Sequence, residues 1–308
     1  PYPDFNDLAL LAAPGNRYVL ADDVSLPRST RVSLGLDQRW RGLQAALTYA
    51  YIRGGAIARG NNRNAPVEGE RPDPQFGNII EVLSDASSRQ HQLQTNLTLN
   101  PGALFPLGRS APRINARRVT LFLNHTVGEI RNNSDGAFGI PPLGDLELEW
   151  GPANNDVRQR LNISLNNQIV KNFRMGLNIN ASSGVPYTIR TGRDDNGDLV
   201  FNDRPGALGR NTERAEAHFT GNMNVAYEWT FGPPVAGPPG IGVIVTGGQA
   251  NVQTFEQPSR FRIGFFVNAQ NLTNRANYTN YSGTMTSPFF RQPTSGAATR
   301  RVEGGINF

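Results

Sequence analysis

The chain has 308 residues, 38% of them hydrophobic, and it contains no cysteine, which excludes disulfides, zinc–thiolate sites and cysteine nucleophiles. Its 30 basic and 25 acidic residues give a net charge of +5. The arginines are scattered along the chain, which is typical of solvated loops and pore walls and does not predict a nucleic-acid partner.

No run of roughly 18 apolar residues occurs in the chain, so the sequence excludes a transmembrane helix. A membrane β-barrel stays open because its strands need apolar residues only at every second position. The opening segment PYPDFNDLALLAAPGN has no basic stretch followed by an apolar core. We therefore expect no secretory signal here and interpret the chain as a mature form or a fragment.

Period-two alternation recurs from one end of the chain to the other. The clearest segments are 43–51, 90–99, 160–169, 173–180, 218–231 and 261–270, and weaker ones are 17–22, 29–38, 117–128 and 185–191. Side chains of a strand point to opposite faces in turn, and no 3.6-residue period competes with this pattern. The sequence predicts an all-β chain of about ten to twelve antiparallel strands.

The polar face of these segments favours a membrane barrel over a soluble sandwich. In 218–231, Val225 and Trp229 alternate with Asn222 and Asn224, and lysine is nearly missing from all the strands. Amide and hydroxyl side chains suit a wet lumen, whereas the exposed strands of soluble proteins carry more Lys and Glu. Aromatic residues fall near strand ends, where interfacial girdles are expected.

The connections alternate between short turns and long loops rich in glycine and asparagine. A hairpin turn is predicted at 171–172, and long loops at 54–78, 129–156, 192–217, 232–258 and 276–297. Outer-membrane barrels have short periplasmic turns and long extracellular loops. We therefore expect the long loops to be extracellular.

The segment GRDDNGDLVFNDRPG at 192–206 carries the spacing of a calcium loop. Its candidate ligands are the side chains of Asp194, Asn196, Asp198, Asn202 and Asp203. Their oxygens suit a hard cation, and the start of the segment resembles an EF-hand loop. It departs from that pattern because Leu199 replaces the turn glycine and no glutamate closes the loop. The alternative is a solvated loop whose Asx side chains bond their own backbone.

Motifs for catalysis are missing from the sequence. The three histidines, His91, His125 and His218, belong to separate predicted strands without HExxH spacing, and Ser183 is not part of a G-x-S-x-G elbow. No glycine-rich phosphate loop occurs. We expect a chain that is not an enzyme and that has no cofactor other than the candidate calcium ion.

The last residues alternate as the final strand of a barrel does. Val302, Gly304, Ile306 and Phe308 share one face, and Arg301, Glu303 and Asn307 share the other. By itself this pattern fits any half-buried strand.

Four segments in order resemble a known family. SSGVPYTIRTGRDDNGDLVFNDRPGALGRN at 182–211 is followed by FTGNMNVAYEWTFG, by FFVNAQNLTNRANY at 265–278 and by the terminal RRVEGGINF. Together they resemble the carboxy-terminal barrel region of Oar-like TonB-dependent receptors, most closely over 157–308. The resemblance implies an outer-membrane barrel of about 22 strands around an amino-terminal plug. It also implies import of a bulky solute with energy relayed by TonB.

By this resemblance, residues 1–308 form the carboxy-terminal part of the receptor barrel, without the plug domain and the signal peptide. The implied partners are outer-membrane lipid, an unknown extracellular ligand, TonB through the plug, and the barrel-assembly machinery. That machinery would recognise Val302, Gly304, Ile306 and Phe308. A passive porin or surface adhesin shares the barrel pattern, and a soluble β-rich binding module is the third alternative.

Overall fold

The computed structural model describes residues 14–104, 118–142, 144–206, 208–234, 241–246, 249–254 and 259–308. The opening residues 1–13, part of the segment without a secretory signal, lie outside this range, as does Arg117 of the candidate strand 117–128. The strands are β1 Arg17–Leu20, β2 Arg28–Trp40, β3 Leu43–Asn62, β4 Ile79–Leu99, β5 Val119–Asn132, β6 Gly151–Pro152, β7 Gln159–Asn167, β8 Phe173–Ser182, β9 Pro186–Tyr187, β10 Glu213–Arg214, β11 His218–Pro234, β12 Ile241–Thr246, β13 Gln249–Thr254, β14 Ser259–Gln270, β15 Tyr278–Tyr281, β16 Pro293–Gly296 and β17 Arg301–Asn307.

One large sheet dominates the described part of the chain. Its strands follow the order β17-β14-β11-β8-β7-β5-β4-β3-β2, and every neighbouring pair in this path is antiparallel. The short strands β1 and β6 add to β4 and β5, which makes 11 strands in this sheet. The predicted all-β, antiparallel architecture is confirmed. Pro101–Leu104 forms a short helix, α1, and no helix among the described residues is long and apolar enough to cross a membrane.

Along the path from β2 to β17, each strand pairs with the next long strand in the sequence, whereas β1 pairs with β4 in parallel. β7 and β8 form the predicted hairpin, and Asn172 in its turn has a φ of 65°. Asparagine tolerates this left-handed conformation better than most residues. β2 and β3 are also joined by a short turn. The main path of the sheet is therefore an antiparallel meander.

The sheet has an apolar face and a polar face, and large side chains of the apolar face are exposed. Leu34 is 77% exposed, Trp40 67% and Trp229 55%. On the polar face, cross-strand pairs align Asn96, Asn124, Asn162 and Asn180 in one row across four strands. Apolar side chains outside and amides inside are the reverse of a soluble sandwich and match a membrane barrel wall.

The two ends of the sheet differ in their connections. Residues 63–78, 133–158, 183–217 and 271–300 join strands at one end, which we call the long-loop end. Residues 41–42, 100–118 and 168–172 join strands at the opposite end. The antiparallel order puts the connection between β11 and β14 at this second end as well.

The prediction that 232–258 is a long loop on the extracellular side is therefore wrong. The segment contains the paired strands β12 and β13 and lies at the end opposite the long-loop end, together with the turns 41–42 and 168–172. Prolines and glycines around IGVIVT hid a short strand from the pattern. Positions 235–240, 247–248 and 255–258 of this segment are outside the described residues.

Two other expectations need correction. The weak candidate strand 185–191 contains only the two-residue β9, which pairs with β10 outside the main sheet. The predicted loop 276–297 contains the paired strands β15 and β16. Both segments belong to connections at the long-loop end, where short strands pair within a connection and not with the main sheet.

Candidate ligand cavity in the loop layer

The four connections at the long-loop end, 63–78, 133–158, 183–217 and 271–300, pack together into what we call the loop layer. Most of the buried polar residues of the described chain lie here, including Asn64, Asp156 and Asp198, which are at most 1% exposed. Buried polar groups are costly unless they are hydrogen-bonded. Most of these polar groups form hydrogen bonds, and several of the bonds join one loop to another.

Two arginines tie 183–217 to 133–158 through buried oxygens. Arg210 donates from Nη1 to the Ser134 carbonyl at 3.0 Å and from Nη2 to the Asn132 carbonyl at 2.6 Å. Arg214 Nη2 lies 2.5 Å from Oδ2 of Asp156. Charge-assisted bonds of this kind are stronger than neutral ones, so they hold the two loops in a fixed relation.

A buried ion pair adds a third link between the same loops. Arg204 donates from Nη1 and Nη2 to the two carboxylate oxygens of Glu149, at 2.8 and 2.6 Å. The side chains are 2% and 5% exposed. This two-bond geometry fixes orientation as well as distance, and it compensates two charges that water does not reach.

The loop 63–78 is closed by an asparagine and linked outward by an arginine. Nδ2 of Asn64 lies within 3.0 Å of the carbonyl oxygens of Asp73, Phe76 and Gly77. Nη2 of Arg71 donates to the Gly197 carbonyl at 2.8 Å. Loop 63–78 therefore contacts the segment that carries the candidate calcium ligands.

Loops 183–217 and 271–300 cross with their backbones in contact. Arg190 donates its amide to the Gly283 carbonyl, and Met285 donates to the Arg190 carbonyl, both at 2.9 Å. A Cβ atom on Gly283 would lie 1.9 Å from the Thr188 carbonyl oxygen. Only glycine permits this crossing, which places Tyr187 and Tyr281 side by side.

The loop layer encloses a cavity of about 850 Å³. Tyr187 and Tyr281 stack with ring centroids 5.8 Å apart, and Tyr18 meets Phe138 edge to face at 5.5 Å. The polar lining residues include Asn16, Asp135, Asn154, Thr188, Arg190, Asn202 and Asn211. Aromatic walls with a few fixed polar groups are typical of small-molecule sites.

Charge in the cavity is unbalanced in favour of Arg190. Asp135 is paired with Arg210 at 2.5 Å, whereas the exposed side chain of Arg190 has no carboxylate partner among the described residues. Burial, with help from Glu213, raises the pKa of Tyr187. Its phenol, like that of an ordinary tyrosine, can donate a hydrogen bond at neutral pH. The cavity can therefore stack a ring and bond an oxygen-rich or anionic group.

Sequence reasoning did not find this cavity. Its walls come from every connection at the long-loop end and from the segment before β1. Lining residues such as Tyr18, Phe138 and Tyr281 are far apart in the chain, and none belongs to a motif. The aromatic residues of the loops were the only feature of the sequence that could indicate a ligand site. They indicate one only after the fold brings the loops together.

The structure brings the candidate calcium ligands into one loop but gives many of their oxygens backbone partners. Asn196 Oδ1 accepts from the Asp198 amide at 3.0 Å, Asp198 Oδ1 from Val200 at 2.8 Å, and Asp203 Oδ2 from Asp195 at 2.7 Å. The first two bonds are Asx turns, the alternative that the sequence left open, and the third links Asp203 to an amide eight residues earlier.

Two oxygens of the same loop remain without hydrogen-bond partners. Asp194 Oδ1 and Asn202 Oδ1 are both buried, although Asp194 Oδ2 accepts from Leu199 and Asn202 Nδ2 donates to the Ile140 carbonyl at 2.6 Å. Burial raises the pKa of Asp198. Across the described ranges, no group of three or more His, Cys, Asp or Glu side chains is arranged to hold a metal ion. The calcium loop stays a prediction.

The terminal stripe lies on the exposed apolar face. In β17, Val302, Gly304 and Ile306 stand opposite Ala269, Val267 and Phe265 of β14. Phe308 follows the strand and is fully exposed. The pairing explains why the stripe alternates, and its role in assembly stays a prediction.

Comparison with known proteins shows the fold. No protein-family model matches the chain, and no curated protein matches it in sequence. Among solved structures, the chain is similar to the outer-membrane transporter YddB of Escherichia coli, with 10% identity and a TM-score of 0.51 over 95% of this chain. It is also similar to the FrpB iron transporter of Neisseria meningitidis, with 10% identity and a TM-score of 0.50 over 94%.

The chain covers 33% of the YddB chain and 32% of the FrpB chain. It therefore spans about a third of the length of each. At this low identity the likeness shows a shared strand architecture, that of outer-membrane transporter barrels.

Proposed function

We propose that the chain is the carboxy-terminal part of a TonB-dependent receptor of the Oar-like type, located in the bacterial outer membrane. In this proposal the whole protein is a barrel of about 22 strands with a plug, and it binds and imports a bulky solute. The loop cavity takes the solute, and the amide face of the sheet lines the barrel interior. The chain itself has no catalytic role.

One observation carries the proposal: an antiparallel meander with its apolar face outside aligns over 95% of its length with a third of an outer-membrane transporter. A sheet with this polarity needs lipid on one side and a polar filling on the other. All four connections at one end are long and interlocked, whereas the short turns 41–42 and 168–172 both lie at the other end. This difference agrees with an extracellular and a periplasmic side.

The proposal is tested with the full-length protein that contains this chain. We expect the protein in the outer-membrane fraction. The purified protein should bind the periplasmic domain of TonB, and a variant that lacks the segment before the plug should not. In planar bilayers the plugged protein should conduct few ions. Absence from the outer membrane, or an intact protein that ignores TonB, would overturn the proposal.

A passive porin or adhesin is the second candidate, because it shares the exposed apolar face and the meander. It predicts no plug and no TonB box in the reading frame before Pro1. A porin would also conduct steadily in bilayers. A soluble β-rich module would be soluble without detergent. The exposed apolar side chains of β2 argue against this alternative.

We propose calcium as a ligand of the loop that holds Asp194, Asn196, Asp198, Asn202 and Asp203. The unpartnered oxygens of Asp194 and Asn202 support the proposal, and a bound cation would stabilise the buried carboxylate of Asp198. In calorimetric titration, wild type should release or absorb heat with calcium and Asp194→Ala/Asp198→Ala should not. Flat traces for both proteins would reject the site.

A further inference from the structure

An arginine row crosses three strands at the long-loop end of the apolar face. Arg53 of β3 stands directly opposite Arg89 of β4, and Arg89 stands directly opposite Arg131 of β5. Residues in register share a face, and like charges placed opposite each other destabilise a sheet. We define Arg53, Arg89 and Arg131 as the arginine row.

The row has too few acidic partners to balance it. Glu129, one row below, lies 3.8 Å from Arg131 and 3.0 Å from Arg158, and Arg158 also pairs with Asp156 at 2.9 Å. Within the row, only Arg131 therefore has a carboxylate within 4 Å among the described residues. Arg53 and Arg89 are exposed, and neither has a carboxylate partner in the described part of the chain. The surface therefore carries unneutralised positive charge.

Aromatic and apolar side chains adjoin the row on the side of the short turns. The next rows contain Tyr51 with His91 and Tyr49 with Leu93. Their rings are in contact: Tyr49 Oη lies 2.8 Å from His91 Nδ1, and the Tyr51 and His91 rings are 4.9 Å apart. Such a belt is typical of the boundary between hydrocarbon and headgroups.

Strand length places the row at the upper edge of a lipid-facing band. From Leu43 to Arg53 the strand advances about 34 Å at ~3.4 Å per residue, or about 24 Å of height at a tilt of about 45°. The apolar band of outer-membrane barrels is about 25 Å tall. Trp40 pairs with Leu43 and lies on the opposite edge of the band.

Arg89 is also held in an orientation that leaves its guanidinium accessible. Its Cζ lies 5.4 Å from the centre of the Trp150 ring, a cation–π contact. A guanidinium stacked on a ring keeps its N–H groups in the plane free to donate. Planar, weakly hydrated guanidinium groups are well suited to bind phosphate with two parallel hydrogen bonds.

From these observations we infer that the arginine row binds the phosphate-bearing headgroup of a lipid in the outer leaflet. The phosphate would neutralise charges that oppose each other across β3, β4 and β5, and the acyl chains would lie along the apolar face below. The inference rests on the proposed outer-membrane location but not on TonB or transport.

The test uses the full-length protein, delipidated in neutral detergent, and native mass spectrometry with bisphosphorylated lipid A and its dephosphorylated form. Wild type should prefer the phosphorylated lipid. Arg53→Gln/Arg89→Gln should weaken that binding by about fivefold per arginine removed. Arg53→Lys/Arg89→Lys keeps the charge but not the planar guanidinium groups. Its affinity for the phosphorylated lipid should lie between those of wild type and Arg53→Gln/Arg89→Gln.

Arg31→Gln/Arg39→Gln is the matched control, because these arginines of β2 are also exposed but belong to the polar face. It should bind as wild type does. Equal binding of both lipid forms, or an unchanged Arg53→Gln/Arg89→Gln variant, would overturn the inference, as would displacement by millimolar inorganic phosphate. Outer-membrane fractionation of the same variants separates this failure from failure of the proposed function.

Discussion

At the scale of single residues, the buried pair of Arg204 and Glu149 makes the sharpest prediction. Arg204→Met leaves the Glu149 carboxylate buried and uncompensated, which costs about 3–5 kcal/mol. We expect faster hydrogen exchange in the parts of 133–158 and 183–217 near the pair, with the strands of the wall unaffected.

Arg174→Met provides the control for this prediction. Arg174 pairs with Glu228 at the sheet surface, where both side chains are substantially exposed, and such pairs contribute about 0–1 kcal/mol. If Arg204→Met left loop exchange as slow as Arg174→Met does, the buried pair would not hold the loops together.

Residue-level prediction from sequence succeeded where neighbours in the chain determine the contacts. The i, i+2, i+4 spacing of Asp194, Asn196 and Asp198 marked a local Asx-rich loop, and the structure contains one. The bonds of Arg210 could not be predicted, because its partners lie more than 70 residues away and include the backbone carbonyls of Asn132 and Ser134. A backbone carbonyl leaves no trace in the sequence.

At the scale of elements, the closing strand β17 leads to a prediction about assembly. Its only described neighbour in the sheet is β14, and Phe308 lies one residue beyond the pairing and is fully exposed. Deletion of Phe308 should lower the amount of folded, heat-modifiable protein in the outer membrane. Phe308→Tyr keeps an aromatic side chain at this position and should assemble normally. If the variant that lacks Phe308 assembled normally, the predicted role of the terminal stripe in assembly would be wrong.

Elements were predictable in proportion to their length and alternation. β11 and β14 alternate over many residues, so the sequence located both, whereas β12 and β13 are six residues each and are enclosed by proline and glycine. The two-residue β9 is held by pairing with β10 across an intervening loop. Short strands of this kind depend on tertiary contacts that a local pattern does not contain.

At the scale of the whole molecule, the alternation of apolar and polar residues predicted the strands of a barrel wall. It did not predict whether the wall closes. The strand order ends at β2 and at β17, and no described register joins these two strands. Every residue of β2 is exposed. Period two shows which face each side chain takes, whereas closure depends on strand number and stagger. Neither quantity can be calculated from the alternation of one chain segment.

The polar interior of the loop layer has a thermodynamic consequence. Unfolding of a soluble domain raises the heat capacity because apolar surface enters water, whereas exposure of polar surface lowers it. Here the buried residues of the described chain are mostly polar, and the large apolar side chains are already outside. Melting of the loop layer should therefore change the heat capacity little, and its stability should vary less steeply with temperature than that of a soluble domain of equal size.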